Sequence, residues 1–443
     1  MRKLRGLRNL VHDAVEVTTN LVERTHESVA AKYVGILREV DPIAPQVETV
    51  DDVRRLTAAT VFGTIRAVNE GVRQLGNLGH DAIAASLDGT AATEPDPGAS
   101  AADASGMDAT ASRTPDPRVP RFLEAAQGAL NGFFGDFLHE RGNELAIPME
   151  LRHRDRPLAL DRYSLAGAFP ATTGKLCVFV HGLGCTERSW MLGSERFWNE
   201  PDVTFGQHLE RDLGYTSLYV RYNTGLHVSE NGRALAALLD DLVAAFPIAV
   251  TEITLVGHSM GGLVARSAAH YGADDARAWV PKLRNIFCLG SPHLGAPLEQ
   301  ATHVLSSVLR SFDTPGTQVP AAVLEARSAG VKDMRHGYVL DEEWREADPA
   351  AFLEHNRREA PFIDGVAYYF VGATVTQDPN DPLGSLVGDL LLRPASAAGR
   401  TTDPARRIPF PLGRIFGGIH HMELANHPDV YAQLRKWLDP APD

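Results

Sequence analysis

The sequence has few cysteines, no long apolar run and no excess of basic residues. The chain has only three cysteines, Cys177, Cys185 and Cys288. Because this number is odd and two of them lie in or beside apolar runs, we expect buried free thiols rather than a disulfide framework. No apolar stretch approaches the roughly 20 residues that a membrane-spanning helix needs. The net charge of −13 argues against nucleic-acid binding, which needs a clustered basic surface.

The N-terminal segment is basic, but it lacks the apolar stretch of about 7–15 residues that defines a secretory signal. With 44% hydrophobic and 22% charged residues in 443, the chain is long and apolar enough for one large domain with additional segments. These features predict a soluble enzyme in the cytoplasm.

The clearest chemical signal is the pentapeptide Gly-His-Ser-Met-Gly at 257–261, directly after the apolar run 253–256. It fits the G-x-S-x-G elbow, in which a serine stands on a sharp strand-to-helix turn above a sheet. Glycines flank the serine because the turn is strained and the backbones crowd there. An ordinary glycine-rich turn is the alternative. Ser259 is therefore the candidate nucleophile.

A second glycine motif follows the apolar run 175–180, which predicts a strand buried on both faces. The next residues, His-Gly-Leu-Gly at 181–184, stand where a His-Gly loop supplies one backbone N–H of an oxyanion hole. The other N–H belongs to the residue after the nucleophile. The amides of Leu183 and Met260 are therefore the predicted donors, while the ring of His181 is expected to orient the loop.

A serine nucleophile needs a base, and the base needs an acid that orients it. In chains with this elbow the acid and then the histidine follow the serine. The glycine-rich segment 417–431 offers three histidines, and the residues after the predicted strand 366–375 offer three aspartates. The candidates are His420, His421 and His427, with Asp378, Asp381 and Asp389.

In this order the motifs resemble the α/β-hydrolase superfamily over roughly residues 145–440. Within it the chain is similar to bacterial lipases and esterases with a Gly-His-Ser-Met-Gly-Gly elbow, related to the GPI inositol-deacylase and lecithin–cholesterol acyltransferase group. The resemblance rests on 181–184, 257–262, the Ser-Pro-His-Leu-Gly-Ala-Pro segment 291–297 and the segment around His421. It implies an eight-stranded, mostly parallel sheet flanked by helices, and ester cleavage without metal or organic cofactor.

The resemblance also selects among the candidates. His421 lies three residues before Leu424, as in the His-x-x-Leu pattern of bacterial lipases, so it is the predicted base and His420 the alternative. His427 precedes Pro428 and is interpreted as a helix-entry residue. Asp389 matches the Gly-Asp-Gly segment that carries the acid in many lipases, except that leucine replaces the second glycine. Asp381 therefore stays open as the alternative acid.

The first 118 residues predict a separate unit. Apolar residues at helical spacing indicate a helical hairpin over 1–85, broken at Pro42 and Pro45. Two amphipathic helices cannot bury their faces alone, so this hairpin is expected to pack on the catalytic domain, on a second copy or on a lipid surface. Residues 86–118 lack aromatic residues and a hydrophobic period, which predicts a disordered linker.

The catalytic domain is predicted over 119–443, beginning with an amphipathic helix at 121–138 and a hairpin within 146–160. Residues 298–360 separate two core strands by more than a short connection. In the fold that the resemblance implies, such an insertion is commonly the cap that shapes the acyl pocket, so a cap is expected here. The sequence thus predicts a serine carboxylic-ester hydrolase acting on a small ester or lipid. The alternatives are an acyltransferase with the same triad and a non-catalytic scaffold.

Overall fold

The computed structural model describes residues 118–439 apart from 144, 154–155, 297–327, 346–357, 359, 380, 382–387, 390–391 and 404–406. The predicted helical hairpin and nearly all of the predicted linker lie outside the described residues. None of the helices that the structure does describe is both long and apolar enough to cross a membrane.

One sheet organises the described chain, and it holds eight strands in the order β2-β1-β4-β3-β5-β6-β7-β8. The six strands from β4 to β8 in this order pair in parallel, whereas β1 pairs antiparallel with both β2 and β4. The strands are β1 (Glu150–His153), β2 (Arg156–Pro157), β3 (Lys175–Val180), β4 (Thr216–Arg221), β5 (Glu252–His258), β6 (Leu283–Leu289), β7 (Ala367–Thr374) and β8 (Leu412–Gly417).

Helices flank this sheet. The α-helices among the described residues are α1 (Arg118–Glu140), α2 (Arg162–Ala168), α3 (Ser194–Trp198), α4 (Phe205–Leu213), α5 (Val228–Ala245), α6 (Met260–Asp274), α7 (Ala329–His336), α8 (Asp341–Arg345), α9 (Pro394–Ala397) and α10 (Pro428–Leu438). Short 3₁₀ helices occur at Glu187–Met191, Val280–Lys282 and His421–Ala425. This is the α/β-hydrolase fold that the sequence predicts.

Both faces of the central strands are buried, because helices cover a parallel sheet on each side. Val178, Leu255 and Ile286 point into the apolar layer shared with α5 and α6. Their neighbours Phe179 and Val256 point into the opposite layer, which includes residues of α4 and α10. The continuous apolar run that predicted β3 reflects this burial on two faces, and the predicted strand bounds match the observed ones.

The parallel register brings several strand ends to one edge. Val180 at the end of β3 lies beside Gly257, and His258 at the end of β5 lies beside Leu289. The loops that leave these three strands therefore begin side by side. Ligand sites of parallel sheets form outside the carboxyl ends of the strands, so this edge is where a site is expected.

The other predicted elements occur with small shifts of their bounds. The predicted helix 121–138 forms the body of α1, and the predicted strand 366–375 is β7. The predicted hairpin within 146–160 is the β1–β2 pair. All three cysteines are buried free thiols, as expected. Burial raises the pKa of Cys185 and of Cys288 to about 12, which makes both thiols poor nucleophiles.

Candidate active site

Ser259 occupies a strained turn between β5 and α6. Its backbone angles are φ 53° and ψ −123°, a positive φ that residues other than glycine seldom adopt. The turn is held in place because the Ser259 amide donates to the carbonyl of Leu289 at 2.7 Å. Strained backbone of this kind persists only where the surroundings enforce it, and it is concentrated at functional sites.

The close approach of chains around the elbow explains its glycines. A Cβ at Gly261 would lie 2.1 Å from the carbonyl oxygen of Val180, a distance that no side chain tolerates. A Cβ at Gly182 would lie 2.9 Å from the Cβ of Ser259. The loop after β3 thus lies directly against the predicted nucleophile, as an oxyanion loop must.

His421 and Asp389 form a buried pair. Nδ1 of His421 lies 2.8 Å from Oδ2 of Asp389, and the two residues are 3% and 2% exposed. A carboxylate only accepts, so Nδ1 carries the hydrogen, and in the neutral imidazole Nε2 is the nitrogen with a free lone pair. Nε2 is buried and has no hydrogen-bond partner within the described part of the chain. This is the tautomer that a general base requires.

The elbow contacts the loop that carries His421, and the contact is made by His258, the residue before Ser259. Nε2 of His258 lies 3.0 Å from the carbonyl oxygen of His421, and the two imidazole centroids are 4.9 Å apart. Among the residues that the structure describes, no hydrogen bond joins the Ser259 hydroxyl to Nε2 of His421. Such bonds are often long or misaligned before substrate binds and tighten afterwards.

The competing candidates occupy other environments. His420 is exposed and caps the 3₁₀ helix at 421–425, while the ring of His427 caps α10 by accepting from the Asp429 amide. The capping contact of His427 agrees with its interpretation as a helix-entry residue. Asp378 is exposed and Asp381 half-buried, whereas Asp389 is the carboxylate on His421.

The predicted oxyanion donors are buried beside Ser259. The side chains of Leu183 and Met260 are 1% and 0% exposed. Within the described chain the Leu183 amide makes no backbone hydrogen bond. The Met260 amide is in the first turn of α6, where helix amides have no partner within the helix and carry partial positive charge.

Tyr222 and Thr224, just after β4, hold the predicted oxyanion loop, and the sequence analysis identified neither. The hydroxyl of Tyr222 donates to the carbonyl of His181 at 2.7 Å, and the two rings stack. The amide of Gly184 donates to Oγ1 of Thr224 at 3.0 Å. No local motif marks these residues, because their role depends on β4 lying next to β3.

Two buried histidines next to the elbow are held neutral. Burial lowers the pKa of His181 to about 4 and that of His258 to about 3, in the latter case aided by the adjacent His421. Neither ring is therefore a cation at neutral pH. Nδ1 of His181 lies 3.0 Å from the Gly182 carbonyl oxygen, and the role of this ring in orienting the loop stays a prediction.

The described part of the predicted cap lies against the elbow. The Gly330 amide of α7 donates to the Gly225 carbonyl at 3.1 Å, and a Cβ at Gly330 would lie 2.9 Å from Cε of Met260. A second contact joins Asp333 to His227, whose Nδ1 is 3.0 Å from the carboxylate. Residues 297–327, where the rest of a pocket would be sought, lie outside the described residues.

The sheet order, the strained serine elbow and the buried histidine–aspartate pair are together features of the α/β-hydrolase fold. A family model described as the PGAP1-like alpha/beta domain matches residues 172–359. That segment contains Leu183 and Ser259 but ends before Asp389 and His421. No curated protein matches the sequence.

Comparison with solved structures finds several bacterial and metagenomic hydrolases with low sequence identity. The mature lipase BlEst2 of Bacillus licheniformis is 16% identical, with a TM-score of 0.40 over 66% of this chain and 99% of that one. A metagenomic carboxyl esterase, MGS0156, is 16% identical, with a TM-score of 0.36 over 74% and 96%. An esterase from Thermogutta terrifontis is 15% identical, with a TM-score of 0.34 over 60% and 90%.

Proposed function

We propose that the protein is a serine hydrolase of carboxylic esters, with Ser259 as nucleophile, His421 as base and Asp389 as the acid that orients it. The observation that carries this proposal is the His421–Asp389 pair at 2.8 Å, because it leaves Nε2 of His421 unprotonated on a loop that contacts the serine elbow through His258.

The reaction proceeds in two halves. Ser259 Oγ attacks the ester carbonyl carbon while its proton passes to Nε2 of His421, and the amides of Leu183 and Met260 receive the developing oxyanion. The C–O bond to the alcohol then breaks, and the alcohol leaves with the proton from His421. Water then attacks the acyl carbon while its proton passes to Nε2 of His421. The bond between that carbon and Ser259 Oγ breaks, His421 returns the proton to Oγ, and the carboxylic acid is released.

The closest alternative is an acyltransferase, in which an alcohol or thiol replaces the water of the second half. The protein groups have the same roles in both reactions, so the acceptor decides between them. Including glycerol or a thiol in the assay and quantifying acylated acceptor against free acid separates the two.

The proposal is tested with the full-length protein, a fluorophosphonate probe and p-nitrophenyl esters of graded acyl length. We expect the probe to label one serine, identified by mass spectrometry as Ser259, and at least one ester to be turned over. Ser259→Ala should abolish both signals while the melting temperature stays nearly unchanged. Labelling at another serine, or full turnover by Ser259→Ala, would show that the elbow is not the active site.

A matched control checks that lost turnover reflects chemistry. Ser267 is also buried, and it lies on α6 eight positions beyond Ser259, where its hydroxyl donates to the Val339 carbonyl. Ser267→Ala should leave fluorophosphonate labelling intact and lower only the stability, by about 1 kcal/mol for one lost hydrogen bond. Equal loss of labelling in both variants would point to misfolding instead.

A further inference from the structure

His258 occupies the variable position of the elbow between Gly257 and Ser259, yet its ring is not free to point outward. The side chain is fully buried, and its two ring nitrogens face two different loops of the site. Nε2 lies 3.0 Å from the carbonyl oxygen of His421. Nδ1 faces the oxyanion loop, because a Cβ at Gly182 would lie 3.5 Å from it.

The tautomer of His258 follows from these contacts. A carbonyl oxygen can only accept, so Nε2 of His258 carries the hydrogen and donates it to His421. Nδ1 is then the unprotonated nitrogen, and it is buried with no hydrogen-bond partner among the described residues. The ring is a fixed, neutral donor that cannot exchange its two nitrogens without breaking the bond to the base loop.

The acceptor of this bond is the backbone of the predicted base. The amide of His421 donates to the Asp389 carbonyl at 3.3 Å, so the backbone of His421 is held on its N–H side by the acid. The bond from His258 holds the same residue on its C=O side. These two hydrogen bonds hold the His421 backbone from opposite sides and so restrict its movement relative to Ser259. With only one of them, the residue could still rotate about the bond that remained.

We propose that His258 is a positioning residue that fixes the His421 loop against the nucleophile elbow and thereby sets the geometry of proton transfer from Ser259. This inference rests on the proposed function and extends it by one residue. His258 does not touch the reacting atoms; it acts through the backbone of His421.

A neutral donor suits this position for an electrostatic reason. During the reaction His421 becomes an imidazolium, and a second cation with its ring centre 4.9 Å away would oppose that charge. Burial and the proximity of His421 lower the pKa of His258 to about 3, so His258 stays uncharged while His421 accepts its proton. A lysine or arginine at this position could make the hydrogen bond but would carry the opposing charge.

The test compares two substitutions of similar length, His258→Gln and His258→Met, in the full-length protein. The amide of glutamine can reach the His421 carbonyl as a donor, whereas methionine fills similar space without one. We expect His258→Met to lower kcat on a p-nitrophenyl ester by about 10- to 100-fold, with KM changed less than about twofold. His258→Gln should restore kcat to within about threefold of the wild type.

Several results would overturn the proposal. Equal kcat in the two variants would show that the donor has no role, and parallel changes in kcat, KM and melting temperature would show a packing residue only. If the wild type hydrolyses no ester and takes up no fluorophosphonate, the proposed function fails. In that case proton NMR still tests the positioning role. The resonance of the His421 Nδ1–H should broaden or shift in His258→Met and return to its wild-type position in His258→Gln.

Discussion

His421 is tied to Asp389 twice, once through its ring and once through its backbone. Nδ1 lies 2.8 Å from Oδ2 of the carboxylate, and the His421 amide donates to the Asp389 carbonyl at 3.3 Å. The second carboxylate oxygen of Asp389 accepts from the Leu392 amide at 2.7 Å. The acid is thus held by its own loop and in turn fixes both the tautomer and the orientation of the histidine.

The first prediction concerns this acid. Asp389→Asn should preserve the fold but favour the wrong tautomer of His421, because an amide can donate to Nδ1. By analogy with serine proteases we expect kcat to fall by up to about 10⁴-fold. Steady-state kinetics on a p-nitrophenyl ester, with thermal melting alongside, measure the effect.

Asp381→Asn is the matched control, since it changes the same chemical group on the other candidate acid. Its effect should be confined to stability, at about 0.5–2 kcal/mol for a turn contribution. A dead Asp381→Asn beside an active Asp389→Asn would reverse the assignment of the acid.

The second prediction concerns the oxyanion loop. Thr224→Val keeps the shape of the side chain but removes the hydroxyl that accepts from the Gly184 amide at 3.0 Å. Because a buried N–H then loses its partner, we expect the free energy of unfolding to fall by about 1–3 kcal/mol. A loosened donor loop should also lower kcat by roughly tenfold with little change in KM.

Thr224→Ser retains the hydroxyl and should keep most of the wild-type kcat. Stability from urea unfolding and kcat from the same preparations distinguish the two effects. If the valine and serine variants turn over substrate equally fast, Thr224 supports the fold but not the oxyanion hole.

The third prediction is a loss of stability in mild acid. Folding lowers the pKa of His181 to about 4 and that of His258 to about 3, from an unfolded value near 6.5. In mild acid the unfolded chain therefore binds more protons than the folded chain. The stabilising contribution is complete above pH 6.5 and decreases as the pH falls toward the folded-state pKa values of the two histidines. Each histidine contributes about 1.4 kcal/mol per pH unit in that range.

Replacing one of the two histidines isolates its share. Between pH 5.5 and 4.5 the free energy of unfolding of His258→Gln should fall less steeply than that of the wild type, by about 1.4 kcal/mol per pH unit. Urea titrations at fixed pH provide the measurement. Parallel curves for wild type and variant would mean that His258 is not held neutral by burial.

The fourth prediction concerns a buried ion-pair cluster around Glu187, which follows the predicted oxyanion loop in the sequence. Glu187 lies 2.9 Å from Nε of Arg152 and 2.6 Å from Nη2 of Arg221, with its side chain 3% exposed. Glu187→Gln removes the shared carboxylate but leaves both guanidinium groups. We expect a loss of about 3 kcal/mol, because buried charge is then left undercompensated.

An exposed pair offers the comparison. Glu200 pairs with Arg211 at 3.4 Å, and both side chains are about half exposed at 51% and 53%. Glu200→Gln should change the free energy of unfolding by less than about 1 kcal/mol, and this difference from the wild type should disappear in high salt. Similar losses in the two variants would show that burial does not control the strength of the Glu187 cluster.

Much of the fold could be predicted because burial leaves a clear local pattern. A strand covered on both faces reads as an unbroken apolar run, and 175–180 became β3 with the predicted bounds. The elbow could also be predicted, because the crowding around Ser259 permits only glycine at 261. The His427 cap was likewise visible, since proline marks the first turn of a helix.

The roles of other residues had no local signal. The choice between Asp381 and Asp389 stayed open, because both follow β7 and only the path of the chain brings one of them to His421. Tyr222, Thr224 and His258 hold their partners across 41, 40 and 163 positions of sequence. Contacts over such separations depend on strand order, which residue spacing does not encode.

The sequence by itself determined the parts whose physics is local: buried strands, the strained glycine turn, and the polar groups at the ends of strands. The tertiary structure decided which of those groups meet, which histidine nitrogen carries the hydrogen and which side chains are neutral. The physical reason is that hydrogen bonding and desolvation act over a few ångströms in space. Residues distant in sequence therefore acquire their chemistry only when the sheet places them side by side.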